Sequence, residues 1–112
     1  GEIRAADVGK QLKQVETWLK NYPEDAGLLL TAARLCMAAE LWGKARSYLE
    51  TSLALVPVPD AYALYGKLLT GLGENEQALL AYRSGLALVS PAVALPAPPE
   101  RSLAPPSNAA EA

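Results

Sequence analysis

The sequence predicts an all-α fold built from repeated antiparallel helix pairs, and three observations carry that prediction. Apolar residues make up 51% of the 112-residue chain, yet only 6% are aromatic and Phe is absent. Ala and Leu therefore supply the core, and both are strong helix formers, whereas a sheet would draw on β-branched and aromatic residues. Pro23, Pro57 and Pro91 are spaced 34 apart, a period typical of stacked helix pairs. Between them the text nearly recurs: Ser52-Leu53-Ala54-Leu55-Val56-Pro57 returns as Gly85-Leu86-Ala87-Leu88-Val89-Ser90-Pro91, with one residue inserted before the last proline.

The elements follow in order. Val8, Leu12, Val15 and Leu19 recur at steps of three and four behind the potential cap Asp7, with Trp18 flanking, so the first helix ends at Pro23. Asp25 is placed to cap a second helix over 26–39. A turn at 40–43 leads to a third, about 44–55. Asp60, after Pro57 and Pro59, begins a fourth that runs to about Leu72, where Gly71 and Gly73 break it. Glu74-Asn75 opens a fifth, about 76–89.

The chain thus divides into 1–25, the second helix of an incomplete repeat; 26–58 and 59–90, two complete repeats; and 91–112. Six of the nine prolines fall in that last stretch, from Pro91 to Pro106, among Ala and Ser, the composition of an extended or partly disordered tail. One short helical turn from Ser90-Pro91 through Leu95 is compatible with it, since Pro is tolerated at a first helical position. An opening without Met is expected of a fragment of a longer chain. The first helix lacks its own partner, so its apolar face is expected to lie uncovered, which predicts a homodimer or a tail folded over that face.

The tetratricopeptide (TPR) pattern calls for large residues, a close-packed small pair, an Ala-x3-aromatic step and a closing Pro. The second repeat fits it with Tyr62, Tyr65-Gly66, Leu69, Ala78 and Tyr82. The first fits more loosely, with Leu29, Ala32-Ala33, Cys36, Ala45, Leu49 and Pro57. Ala33 and Gly66 allow the two helices of a repeat to approach, and Ala45 and Ala78 do so from the facing helix. The expected architecture is a TPR-like right-handed superhelix of about two and a half repeats and five helices, with the Pro/Ala-rich tail beyond.

Composition excludes several functions. The net charge is -2 with both signs interspersed, which argues against a nucleic-acid surface. Apolar runs such as Leu53 to Pro59 fall far short of the roughly 20 residues of a membrane span. No secretory signal opens the chain. With no histidine and one cysteine, the commonest general base and metal ligand are missing, and Cys36 reads as a buried, inert thiol. Met37 is a poor haem ligand beside it, because neighbouring helical side chains diverge. Glu16, Glu24, Glu50, Glu74 and Glu76 read as surface or turn carboxylates, with Glu16–Lys20 and Arg46–Glu50 as helical pairs. Gly71-Leu72-Gly73 lacks the Lys and Ser/Thr of a phosphate loop. No catalytic residue, metal or cofactor is expected, and the protein is read as a non-enzyme.

A binding face is expected where the first helices of successive repeats line an inner groove. Its residues are Leu30, Arg34, Met37 and Ala38 in one repeat and Ala63, Lys67 and Thr70 in the next. Arg34 and Lys67 occupy the same repeat position, which predicts a small basic strip suited to an acidic peptide segment of a partner protein. The clamp that grips chaperone tails in some TPR domains is absent, since Gly27, Thr31, Asp60 and Leu64 occupy its places. Trp18 and Trp42 read first as seam-closing residues and second as interface anchors. The alternative function is a porphyrin or lipid carrier using the same groove, which requires an apolar cavity of several hundred Å³.

Particular stretches carry a closer resemblance. They are Gln11-Leu12 through Glu16-x-Trp18-Leu19-Lys20, Pro23-x-Asp25, Leu28-Leu29-Leu30, Arg34-Leu35-Cys36, Leu41-Trp42-Gly43-Lys44-Ala45-Arg46 and Tyr48-Leu49-Glu50. Ala61-Tyr62, Leu72-Gly73-Glu74 and Tyr82-Arg83-x-Gly85-Leu86 complete the set. Over about residues 3–89 the chain resembles the C-terminal TPR region of HemY-type bacterial proteins, with Leu41–Glu50 the most specific block. The resemblance implies a full-length protein anchored in the inner membrane, its TPR portion on the cytoplasmic face, and a link to haem or porphyrin biosynthesis. The fragment itself is expected to be soluble.

Overall fold

The structure, a computed structural model, describes residues 5–89. These residues form five α-helices and no strand: α1 (Ala5–Asn21), α2 (Ala26–Ala38), α3 (Trp42–Leu55), α4 (Pro59–Gly71) and α5 (Asn75–Val89). None of the described helices is long and apolar enough to cross a membrane. The expectations for residues 91–112 lie outside the described residues.

Each helix packs on its neighbour in sequence, and α2 also touches α4. Connections of three or four residues reverse the chain, as short loops between helices do. The contacts confirm the antiparallel sense. Ser52, near the end of α3, donates its hydroxyl to the carbonyl of Ala26 at the start of α2 at 3.0 Å. Gly85, near the end of α5, lies against Pro59 at the start of α4.

Those two contacts are one contact repeated. The step from Ser52 to Gly85 equals the step from Ala26 to Pro59, and α2 and α4 are both 13 residues long. The packing period is thus 33, and not the 34 of the prolines. Pro23 and Pro57, 34 apart, therefore stand one position out of register with the packing period.

The small residues lie in the core. Ala32, Ala33, Cys36, Ala45 and Leu49 are wholly inaccessible to solvent, and Gly66, Ala78 and Ala81 are buried. One cluster joins Leu12, Val15 and Leu19 of α1 to the α2–α3 pair and Leu68 of α4. A second, smaller one holds Leu69, Ala78 and Ala81, with Tyr62 and Tyr65 half-buried against it. At the packing period Ala33 and Leu49 correspond to Gly66 and Tyr82. A Cβ built on Gly66 would lie 2.6 Å from the Tyr82 ring, so the larger partner in the second pair is matched by a smaller residue opposite.

One expectation is overturned. The stripe of α1 is covered, with Val8, Leu12, Val15 and Leu19 all at most 9% exposed. It is a single row of apolar side chains, and one neighbouring hairpin suffices to bury it. The uncovered apolar surface lies at the other end, on α5, where Leu79, Leu80, Leu86, Leu88 and Val89 are each about half exposed or more.

Helix ends follow sequence chemistry with three exceptions: Asp7, the expected cap of the first helix, lies inside the first turn of α1, which begins at Ala5, and α3 and α4 each begin ahead of the expected residue. Asp25 caps α2 by accepting the Leu28 amide at 3.0 Å, as expected. The third helix starts at Trp42, two residues before the expected Lys44, because Gly43 enters the helix. Pro59 occupies the first position of α4, where its missing N–H is no loss, so the helix begins one residue ahead of Asp60.

Both α2 and α4 end in the same two-bond reversal. Leu41 donates to the Cys36 carbonyl and Glu40 to that of Met37; Glu74 donates to Leu69 and Gly73 to Thr70. This arrangement requires a left-handed residue after the cap. Gly73 supplies it at φ 83°, but Glu40 supplies it at φ 61°, a conformation a side chain with Cβ resists. Glu40→Gly is expected to raise unfolding stability by about 0.5–1 kcal/mol, and Gly73→Ala to lower it by about 1 kcal/mol. Urea denaturation of the three proteins checks this, and equal responses at the two sites would contradict it.

Candidate functional site

The polar residues sort into a structural set and a surface set. Glu16 of α1 pairs with Lys44 of α3 at 2.7 Å and accepts the Tyr48 hydroxyl. It does not use Lys20, its expected helical partner. Arg46 of α3 reaches the α4–α5 turn, where Nη1 and Nη2 grip both carboxylate oxygens of Glu74 at 2.8 and 3.1 Å. Its Nε also contacts Glu50 at 3.1 Å, the expected helical pair. Glu50 in turn accepts the Tyr65 hydroxyl at 2.8 Å. The network ties α3 to α1 on one side and to α4 and its turn on the other.

The electrostatics follow from these contacts. The Lys44 ammonium, and then the Tyr48 hydroxyl, hold the Glu16 carboxyl below its ordinary range. Arg46 does the same for Glu74. Burial, reinforced by the adjacent carboxylates, pushes the Tyr48 and Tyr65 phenols up. Burial also raises the Cys36 thiol, which agrees with its complete inaccessibility and fits an inert core residue. Among the described residues no three His, Cys, Asp or Glu side chains cluster as a metal site would require.

The expected binding face is assembled in part. Arg34, Ala63 and Lys67 meet with Asp60 and Leu64 along a shallow depression between α2 and α4. At Lys67 this meets a deeper groove of about 270 Å³, lined by Met37, Trp42, Lys67, Leu68, Gly71 and Leu72. Four of the seven residues expected there, Arg34, Met37, Ala63 and Lys67, thus share one continuous face. Leu30 instead packs, half-buried, against the core. Ala38 is exposed in the last turn of α2, outside both depressions. Thr70 turns its hydroxyl back to the Gly66 carbonyl at 2.8 Å.

The basic strip is modified by one acidic neighbour. Arg34 lies 3.8 Å from Asp60, with both side chains more than half exposed, a pairing of small energetic weight. Lys67 makes no ion pair among the described residues. It stands at the junction of the two depressions as the available cation. Trp42, read from sequence as a seam residue, is 43% exposed and forms one wall of the groove. Trp18, 47% exposed on α1, lies outside it. The signal that could have placed Trp42 here is its position at the first turn of α3, directly after the reversal from Met37.

Comparison with protein-family models, curated proteins and solved structures finds no match to the chain. The character of the site therefore rests on its own chemistry.

The linked carboxylates make an acid response testable. Glu16 and Glu74 have folded-state pKa values below the ordinary 4.5, so their stabilisation is fully present above that value. It is lost as pH falls through the lowered pKa values, from about pH 5 downward. Glu16→Gln is expected to reduce stability at pH 7 and to lose less than wild type between pH 5 and 3. Urea midpoints at pH 7, 5 and 3 measure both, and parallel pH profiles for the two proteins would contradict the assignment.

Proposed function

We propose that the chain is a protein-interaction module whose α2–α4 face holds a peptide segment bearing an acidic residue beside an apolar anchor. The observation that carries this reading is the groove in which Met37, Trp42, Leu68 and Leu72 stand around the exposed cation Lys67. An open apolar slot with one charged lip suits a side-chain anchor and a neighbouring carboxylate. Aromatic walls of this kind supply much of the energy at peptide interfaces. Asp60 beside Arg34 narrows the acidic preference to the Lys67 end of the face.

On this reading the architecture is a TPR-like right-handed superhelix of two and a half repeats. Its support is the regular recurrence of packing contacts and the touch between α2 and α4, the first helices of successive pairs. We propose further that the module belongs to a HemY-type, membrane-anchored protein of haem or porphyrin biosynthesis, facing the cytoplasm. The support is the set of sequence blocks given above. The most specific of them, Leu41–Glu50, includes the interhelical partners Lys44, Arg46, Tyr48 and Glu50 together with the groove residue Trp42.

A porphyrin or lipid carrier finds less support. The depressions are open to solvent along one side, so a planar macrocycle would keep much of its surface in water, unlike ligands in enclosed sites.

The test uses Trp42 as its own reporter in a Trp18→Phe background. A set of short synthetic peptides carrying Leu with Glu, Gln or Lys three positions away is titrated against the protein. The Glu peptide is expected to shift Trp42 emission and to bind best, and Lys67→Glu to weaken it about tenfold, as expected for reversing a contacting charge. Equal binding of the three peptides, or no effect of Lys67→Glu, would overturn the acidic-peptide reading.

A further inference from the structure

Three depressions run into one another through shared residues. The apolar groove beside Trp42 and the shallow depression beside Arg34 have Lys67 in common. The shallow depression shares Asp60 and Ala63 with a third and larger one, about 450 Å³, walled by Tyr82, Leu86 and Val89 of α5. Helix α4 is the floor throughout. Its Asp60, Leu64, Lys67 and Gly71 recur at steps of three and four, so they share one face along the helix. Small residues keep this floor low: Ala63 ends at its Cβ, and a Cβ built on Gly71 would meet nothing within 4 Å.

The chemistry changes along the run. At one end stand the apolar side chains of Met37, Trp42 and Leu72. In the middle lie Lys67 and the exposed Arg34–Asp60 pair. At the other end Tyr82, Leu86 and Val89 are each at least 40% exposed. The α4 segments 59–63 and 67–72, which floor the two apolar ends, have centres about 13 Å apart at about 1.5 Å per helical residue. An extended peptide covers that distance in about four residues at about 3.3 Å each. Alternate side chains of an extended chain point the same way. Positions one, three and five of such a peptide therefore face both apolar ends and the cation between them.

We propose that the α5 depression is a second anchor site for the peptide held at Trp42 and Lys67, and that the partner segment presents apolar, acidic and apolar side chains at alternate positions. This rests on the α2–α4 face being the peptide site. One apolar side chain enters the groove beside Trp42, the carboxylate meets Lys67, and the second apolar side chain covers Tyr82, Leu86 and Val89. The three contacts lie on one floor, so a single extended segment makes them without a bend.

The test titrates three peptides against the Trp18→Phe protein, read by Trp42 emission. Their central sequences are Leu-Ser-Glu-Ser-Leu, Leu-Ser-Glu-Ser-Ser and Leu-Ser-Glu-Leu-Ser, the last with its leucines on opposite sides of the chain. The first is expected to bind about tenfold more tightly than either of the others, the factor for one partly buried leucine. Leu86→Gln is expected to remove that gain and to leave binding of the single-leucine peptide unchanged. Val89→Gln repeats the test at a second wall, and helical content by circular dichroism establishes that each variant is folded. Binding of all three peptides with equal affinity would overturn the second anchor and leave the Trp42–Lys67 site standing. Absence of binding by any of them would overturn both. A gain that survives both α5 substitutions, or substitutions that weaken the single-leucine peptide equally, would contradict the assigned depression. A gain that falls as protein concentration rises would overturn the proposal in favour of a second copy of the chain seated there.

Discussion

In the second pair a small residue on the first helix leaves room for a larger residue on the second, and the first pair carries a small and a large residue at the equivalent positions. Ala33 and Leu49 share the first core, and Gly66 receives the ring of Tyr82 in the second pair. Helices can approach in this way only where a missing side chain makes space, since interiors are packed to near-crystalline density. From that approach follow the short reversals after α2 and α4, the burial of Ala45 and Ala78 from the facing helices, and the contact of each helix end with the start of its partner. The packing period is the spacing at which this arrangement recurs.

Polar contacts complement the apolar ones by fixing how neighbouring pairs sit. The Glu16–Lys44–Tyr48 group holds α1 to α3, and Arg46 spans from α3 to the turn at Glu74. These side chains are tied up in holding helices together. Lys67 and Trp42 are different: one is a cation without an ion pair among the described residues, the other an indole standing partly in solvent. Charged and aromatic side chains thus divide between holding the array together and lining the depressions of the α2–α4 face.

Much of the helix layout was legible because it depends on local chemistry. The stripe from Val8 to Leu19, the Asp25 cap and the Gly73 stop each act within a turn of their own position, and helix bounds fall within about three residues of those read from sequence. What escaped depends on residues distant in the chain. Glu16 has Lys20 one helical turn away, but its partner is Lys44 on another helix, and nothing in the α1 sequence records that. Glu40 gives no sign of a left-handed conformation except by its alignment with Gly73 at the packing period. The exposure of α5 was likewise hidden, since its Ala78, Ala81 and Gly85 face α4 and leave the leucines outward. Of the expected binding face, Arg34, Met37, Ala63 and Lys67 line the two depressions, while Leu30, Ala38 and Thr70, on the same helices, do not.

The central claim is that the Gly66–Tyr82 fit is the same constraint as Ala33–Leu49, met with a different pair of volumes. The most direct measurement is a double-mutant cycle by urea denaturation with Gly66→Ala, Tyr82→Leu and both together, which installs the first pair's residues in the second. Gly66→Ala alone should destabilise by about 1 kcal/mol, because displacing the Tyr82 ring outweighs the gain in helix propensity. The double variant should recover to near wild type, with a coupling of about 1 kcal/mol or more. Additive single effects, or a stabilising Gly66→Ala with Tyr82 in place, would contradict the account.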